Sequence, residues 1–132
     1  ETAARVGSVN TVKRVDGKYY GYNTDVGGMR YMLKRAGVGV KDKTVLILGS
    51  GGTSLTARAL CDEDGAKKYY VVSRSGEINY DNCYALKGVQ LIINCTPVGM
   101  YPNVDACPVD LTRFNGLEGV FDCIYNPDKP IC

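Results

Sequence analysis

The sequence predicts an α/β domain with a mostly parallel β-sheet. Short apolar runs at 45–48, 89–94 and 119–125 are rich in branched side chains, as in strands that are buried on both faces of a sheet. Segments of helical character lie between these runs, and this alternation indicates right-handed βαβ units. The length of 132 residues is that of a single domain.

A β-hairpin is predicted near the beginning of the chain. Residues 6–15 have an extended pattern, Asp16-Gly17 is a strong two-residue turn, and residues 18–22 return beside the first strand. Because a two-stranded ribbon is only marginally stable by itself, we expect it to belong to a larger sheet that this chain does not contain.

A linker helix is predicted after the hairpin. Apolar side chains recur at helical spacing from Val26 to Leu33, and a polar cap is expected within 23–25. The glycines of the stretch Gly37-Val38-Gly39 are expected to end this helix, which then leads to the buried strand that begins at Val45.

The remaining elements are predicted in the following order: a helix at 54–64, a strand at 67–73, one or two helical turns at 79–86, a strand at 89–94, a helical turn at 111–117 and a strand at 119–125. Ligands of parallel sheets bind at the carboxyl ends of the strands. The loops in which we expect a ligand site are therefore 49–53, 73–76, 95–101 and 124–127.

The first buried strand ends in a glycine-rich turn, Gly49-Ser50-Gly51-Gly52, and Thr53 or Ser54 is expected to cap the helix that follows. A strand, a glycine turn and a helix N-terminus together form an anion site, because backbone N–H groups and the helix dipole both favour negative charge. The pattern approaches the dinucleotide fingerprint of a Rossmann-type domain, with Ser54 at the third glycine position. The alternative is a strand–turn–helix corner without a ligand.

The end of the second strand of this domain indicates which nucleotide would bind. Asp or Glu at this place usually binds a free ribose 2′-hydroxyl, whereas this chain has Ser73-Arg74-Ser75. The Arg74 guanidinium can pair bidentately with a 2′-phosphate, which favours NADP over NAD. Two alternatives stay open: Arg74 is a solvated surface residue, or Glu77 reaches the ribose instead.

The composition argues against several other classes of protein. The net charge of +2 without blocks of like charge argues against a nucleic-acid partner, and no apolar run is long enough to cross a membrane. The six cysteines match no zinc spacing, so we expect no metal and reduced thiols in a cytoplasmic protein. The chain has no histidine, so acid–base chemistry would require a carboxylate, lysine, tyrosine or cysteine.

Six stretches, in this order and spacing, resemble the shikimate dehydrogenase family. They are the stretches GSVNT at 7–11, GYNTD at 21–25, LGSGGTS at 48–54, VSR at 72–74, IINCTPVGM at 92–100 and DCIYNP at 122–127. The resemblance covers nearly the whole chain. It implies three parts: the end of a substrate-binding segment at 1–25, a linker helix at 26–40, and a C-terminally truncated NADP-binding Rossmann domain at 41–132.

The resemblance implies the NADPH-dependent reduction of 3-dehydroshikimate to shikimate, in the chorismate pathway to aromatic amino acids. It assigns Asn10, Asp25 and Tyr125 to the substrate, with Asp25 as one half of a catalytic Lys–Asp pair. A carboxylate in this role orients a substrate hydroxyl and holds the proton of a neighbouring lysine. Without the resemblance, the local sequence favours Asp25 as a helix cap. Asn10 is then explained as a turn or strand-edge amide, and Tyr125 is equally well explained as a sheet-edge residue.

The resemblance also assigns residues to the cofactor. These are the pyrophosphate turn Gly49, Ser50, Gly51, Gly52 and Thr53, the 2′-phosphate clasp Ser73, Arg74 and Ser75, the loop Thr96, Pro97, Val98, Gly99 and Met100 on the nicotinamide side, and Cys123. Glu1 aligns with a minor acidic position on the cofactor side.

The chain departs from the family pattern in ways that bear on activity. The family's catalytic lysine lies upstream of residue 1, so we expect the 132-residue chain alone to be inactive. Leu55 stands where many members have a basic residue near the phosphate, and the crossover at 75–88 is short. The alternatives are a quinate/shikimate dehydrogenase that uses NAD and a non-catalytic nucleotide-binding domain. A homodimer is compatible with the resemblance.

Overall fold

The computed structural model describes residues 11–15, 18–22, 25–96 and 108–123. The first two stretches are strands β1 (Thr11–Val15) and β2 (Lys18–Tyr22), paired antiparallel from Thr11 opposite Tyr22 to Val15 opposite Lys18. This pairing confirms the predicted hairpin. Its turn at 16–17, and the part of the first strand predicted at 6–10, lie outside the described residues.

The second sheet has four strands: β3 (Thr44–Leu48), β4 (Lys68–Val72), β5 (Leu91–Asn94) and β6 (Gly119–Asp122). All neighbours are parallel, and the order across the sheet is β4–β3–β5–β6. The two central strands are buried along their whole length, which explains why their sequences are continuously apolar rather than alternating. The predicted α/β fold with a parallel sheet is confirmed.

Helices α1 (Asp25–Arg35) and α2 (Gly52–Asp64) cover one face of this sheet. The apolar stripe of α1 packs on the side chains of β3 and β5 that point to that face. Both helices end at a glycine with positive φ: Gly37 has φ 76° after α1, and Gly65 has φ 76° after α2. Glycine adopts this left-handed conformation without strain, so the predicted stop of α1 at Gly37 is confirmed.

Among the residues that the structure describes, irregular segments and 3₁₀ turns cover the opposite face. The helical turns predicted at 79–86 and 111–117 are present as a single 3₁₀ turn each, at Cys83–Ala85 and Leu111–Arg113. The rings of Tyr84 and Phe114 lie 5.3 Å apart between these segments, and the Arg113 guanidinium stacks 3.8 Å above the Tyr84 ring. These contacts hold the two connections together over the sheet.

An ion pair joins the linker helix to the helix after the glycine turn. The Nε of Arg30 donates to both Asp64 carboxylate oxygens at 3.0 Å. Both side chains are partly exposed, so the pair adds orientation more than stability. Within the described residues, no helix combines the length and the apolarity that crossing a bilayer requires.

Candidate functional site

The glycine turn after β3 is tightly packed against the end of β5. Gly49 has φ 105°, and its N–H donates to the carbonyl of Val72 on β4 at 2.8 Å. A Cβ at Gly49 would lie 3.2 Å from the Cys95 carbonyl oxygen and 3.2 Å from Cγ2 of Thr96. Both the conformation and the space therefore require glycine at this position.

Helix α2 begins directly after this turn, and its cap differs from the prediction. Gly51 is the N-cap, whereas Thr53 or Ser54 was expected there, and no side chain caps the helix. The buried Ser54 instead donates its hydroxyl to the Gly51 carbonyl at 2.6 Å. A serine thus occupies the third glycine position because its short side chain turns back onto the backbone. The amides of Gly52 and Thr53 precede the first intrahelical bond, which Ser54 donates to Gly51.

The loop after β4 carries the predicted 2′-phosphate residues. The Ser73 amide donates to the Ile78 carbonyl at 3.1 Å, and a Cβ at Gly76 would lie 2.5 Å from the Ser73 hydroxyl. The loop is therefore a tight turn, and Arg74 is exposed on it. Glu77 is exposed, and its backbone carbonyl accepts a hydrogen bond from the side-chain amide of Asn82 at 2.8 Å.

The loop after β5 is fixed by a buried amide side chain. Oδ1 of Asn94 accepts hydrogen bonds from the Thr96 amide at 3.1 Å and from the Thr96 hydroxyl at 2.7 Å. The Asn94 carbonyl accepts the amide of Cys123 at 3.1 Å, which extends the β5–β6 ladder beyond the strands. The position of Asn94 as the last strand residue was evident from the sequence, but its role in holding the loop was not predicted.

These three loops enclose a cavity of about 460 Å³ at the carboxyl ends of β3, β4 and β5. A volume of this size is typical of sites for small molecules and cofactors. The described residues that line it are Gly49, Ser50, Gly51, Ser73, Arg74, Tyr80, Cys95, Thr96 and Pro108. Six of these were predicted as cofactor residues. Tyr80 and Pro108 were not predicted, because the crossover at 75–88 and the segment before 111 show no motif. Cys95 belongs to the loop 95–101, in which a ligand site was expected, but it was not assigned to the cofactor individually.

No family model matches the chain. A curated shikimate dehydrogenase (NADP(+)) from Clostridium beijerinckii is 35% identical over 139 residues, which covers 96% of this chain and 51% of that protein. The crystal structure of shikimate dehydrogenase 1 from Peptoclostridium difficile is 37% identical, with a TM-score of 0.84 over 97% of this chain and 51% of that one. The chain is a relative of the shikimate dehydrogenases. It spans about half the length of the curated relatives it matches.

A shikimate 5-dehydrogenase from Thermus thermophilus was solved in complex with NADP(H) and shikimate. It is 28% identical, with a TM-score of 0.78, and the match covers 95% of this chain and 51% of that one. The resemblance of the sequence to the shikimate dehydrogenase family is thus confirmed by relatives and by solved structures alike.

Several residues assigned from this family lie beside the cavity or outside the described residues. Gly52 and Thr53 are exposed in the first turn of α2, Ser75 is exposed next to Arg74, and Cys123 follows β6 with its amide paired to Asn94. Asp25 is the first residue of α1, and its side chain is outside the described residues, as are Glu1, Asn10, Pro97–Met100 and Tyr125. Leu55 is partly buried and packs against the core between the sheet and the helices.

Proposed function

We propose that this chain forms the NADP(H)-binding half of a shikimate dehydrogenase, which reduces 3-dehydroshikimate to shikimate with NADPH. The observation that carries the proposal is the cavity between the glycine turn and Arg74. Backbone amides, hydroxyls and a guanidinium are the groups that bind a phosphorylated cofactor. NADPH, when bound, supplies the hydride for such a reduction.

The glycine turn is the part of the cavity that suits a diphosphate. Gly49 keeps the backbone close to the end of β5, and Gly51 leaves open space where a side chain would project, with nothing within 4 Å of its would-be Cβ. The amides at the start of α2 and the helix dipole favour negative charge at the same place. Ser50, Gly52 and Thr53 complete the proposed diphosphate site.

Ser73, Arg74 and Ser75 are proposed to bind the 2′-phosphate. Among the described residues that line the cavity, none is Asp or Glu, so no carboxylate is in place to accept a ribose 2′-hydroxyl. Arg74 can donate two parallel hydrogen bonds to a phosphate. The alternative in which the protein uses NAD is less favoured for this reason, and the named relatives are NADP(+) enzymes.

The substrate is proposed to contact Asn10, Asp25 and Tyr125, and the loop from Thr96 to Met100 with Cys123 is proposed to lie at the nicotinamide side. The carboxylate of Asp25 would orient a substrate hydroxyl and hold the proton of a lysine supplied from outside this chain. A cytoplasmic location and a homodimer are further proposals.

Titration of the chain with NADP⁺ and NAD⁺ by calorimetry tests the cofactor proposal. We expect tighter binding of NADP⁺, and Arg74→Ala should reduce that binding roughly tenfold or more, because a hydrogen bond to a charged group contributes about 1.5–3 kcal/mol. Arg58→Ala is the matched control, since Arg58 is exposed on α2 and does not line the cavity. An unchanged preference for NADP⁺ in Arg74→Ala would contradict the 2′-phosphate site.

A turnover assay with NADPH and 3-dehydroshikimate tests the prediction that this chain binds the cofactor but is inactive by itself. With NADPH and 3-dehydroshikimate, the chain should bind cofactor but show no oxidation of NADPH, because the catalytic lysine is expected outside it. Rapid oxidation would refute the prediction of an inactive chain. Binding of NAD⁺ in preference to NADP⁺ would support the quinate/shikimate alternative instead.

A further inference from the structure

Tyr80 is an aromatic residue of the cavity that the glycine motif and the phosphate clasp do not account for. It is half-buried, lines the cavity together with Ser73 and Arg74, and packs against the core cluster that includes Val72 and Cys83. A tyrosine in this setting has an apolar body anchored in the core and a polar tip available to a ligand.

The backbone on both sides of Tyr80 is fixed by asparagine side chains. Oδ1 of Asn79 accepts the amides of Asp81 at 2.9 Å and Asn82 at 3.0 Å, while Oδ1 of Asn82 accepts the Asn79 amide at 2.7 Å. The Cys83 amide donates to the Asn79 carbonyl at 3.0 Å. This reciprocal pair holds the backbone of the turn in one conformation, and the Tyr80 side chain packs against the core, so both are restricted before any ligand binds.

The phenol of Tyr80 is a proton donor at neutral pH. Burial raises its pKa above the ordinary value of 10.0, and the nearby Arg74 guanidinium lowers it only in part. The hydroxyl therefore carries its proton and lies within the electrostatic reach of Arg74. An anion that pairs with the guanidinium would find the O–H beside it.

A 2′-phosphate has more acceptor oxygens than Arg74 alone can satisfy. Arg74 is the one Lys or Arg among the described residues that line the cavity; Leu55 packs against the core, and Glu77 does not line the cavity. We propose that Tyr80 is a specificity-determining residue whose phenol donates a hydrogen bond to the 2′-phosphate held by Arg74. This role rests on the proposed function, because it requires a 2′-phosphorylated nucleotide in the cavity.

The test compares two small nucleotides that differ at the 2′-position. Calorimetric titration with 2′,5′-ADP and 5′-AMP is carried out on the wild-type chain, on Tyr80→Phe and on the control Tyr84→Phe. Tyr80→Phe keeps the ring and removes the hydroxyl, so 2′,5′-ADP should bind roughly tenfold more weakly while 5′-AMP binding is unchanged. Tyr84 lies in the same crossover, and its hydroxyl accepts the Asp110 amide at 2.8 Å away from the cavity lining. Loss of the Tyr84 hydroxyl should leave the affinities for 2′,5′-ADP and 5′-AMP unchanged.

Each other outcome overturns a defined part of the proposal. If the wild type prefers 2′,5′-ADP and Tyr80→Phe keeps the same preference, the role of Tyr80 is wrong and the proposed function stands. If Tyr80→Phe weakens both nucleotides equally, the hydroxyl acts on the part that the two nucleotides share, and the contact with the 2′-phosphate is wrong. If the wild type does not distinguish the two nucleotides, the proposed NADP site itself fails. Circular dichroism of each variant verifies that the fold is retained.

Discussion

The side chain of Asn94 holds the backbone and the hydroxyl of Thr96 at once. Its Oδ1 accepts the Thr96 amide at 3.1 Å and the Thr96 hydroxyl at 2.7 Å, and Asn94 itself is only 1% exposed. A buried amide at the end of a central strand is costly unless it is hydrogen-bonded, and here it orders the first residues of the loop that lines the cavity. The strand end and the loop conformation are thus determined by one residue.

Replacing Asn94 by Ala should lower both stability and nucleotide affinity. The two Thr96 donors lose their acceptor, which costs about 1–3 kcal/mol of unfolding free energy, and the loop becomes free to leave the cavity. Urea unfolding and titration with NADP⁺ measure the two effects. Thr96→Ser, which retains both donors, is the matched control and should stay close to the wild type. Unchanged affinity in Asn94→Ala would show that the loop does not contribute to binding.

Two glycines of the same turn should respond differently to alanine. At Gly49, positive φ and contacts of 3.2 Å to Cys95 and Thr96 oppose a Cβ, so Gly49→Ala should cost about 1–3 kcal/mol of stability. At Gly51, φ is −83° and nothing lies within 4 Å of a Cβ, so Gly51→Ala should cost less than about 1 kcal/mol.

Binding measurements on the Gly51→Ala chain add a second readout. The new methyl group would occupy the proposed diphosphate position, so NADP⁺ affinity should fall although the chain remains folded. Equal thermal unfolding temperatures for Gly49→Ala and the wild type would contradict the argument from strain.

The sequence was sufficient to predict the strands of the sheet but not the conformation of all the segments that cover its faces. The runs at 45–48 and 89–94 identify β3 and β5 because a central parallel strand needs apolar residues on both faces. The crossover at 75–88 has no comparable apolar pattern. Its conformation depends on polar side chains such as Asn79 and Asn82, which form hydrogen bonds with the nearby backbone. Tyr80 could not be assigned to the cavity for the same reason.

The cap of α2 shows a second limit of sequence patterns. Thr53 and Ser54 are good capping residues, yet Gly51 is the cap because the chain must turn immediately after β3 to pass the end of β5. Tertiary packing, rather than capping preference, therefore determines which residue is the N-cap of α2. The residues with a family assignment could be recognised from motifs, because backbone contacts to a phosphate demand glycine at fixed positions.

Replacing Thr56 by Val should stabilise the chain. The Thr56 hydroxyl is buried on α2, and among the described residues no hydrogen-bond partner accepts or donates to it. Such a group carries a desolvation cost of about 1–3 kcal/mol, which a methyl group of similar size would remove. Thermal and urea unfolding should therefore give a higher midpoint for Thr56→Val. The control Thr53→Val changes an exposed residue of the same helix and should have no stabilising effect.

The Cys61 thiol should make stability depend on pH in the alkaline range. Burial, followed by the carboxylates of Asp62 and Asp64, raises its pKa from 9.0 to about 12. Because the folded-state pKa lies above the unfolded one, the folded protein binds the proton more tightly. The stabilisation is complete below pH 9 and is lost as the pH rises from 9.0 towards 12.

Urea unfolding at about pH 8 and about pH 10 should reveal a loss of stability, to which Cys61 contributes about 1.4 kcal/mol per pH unit above its unfolded pKa. Cys61→Ala removes this contribution, so its stability should fall less over the same interval even though the smaller side chain lowers the absolute value. The other groups, among them the Cys83 thiol, whose pKa is also raised by burial, are present in both proteins, so their contributions cancel in the comparison. Parallel pH profiles for the two proteins would mean that the thiol ionises as easily in the folded chain as in the unfolded one.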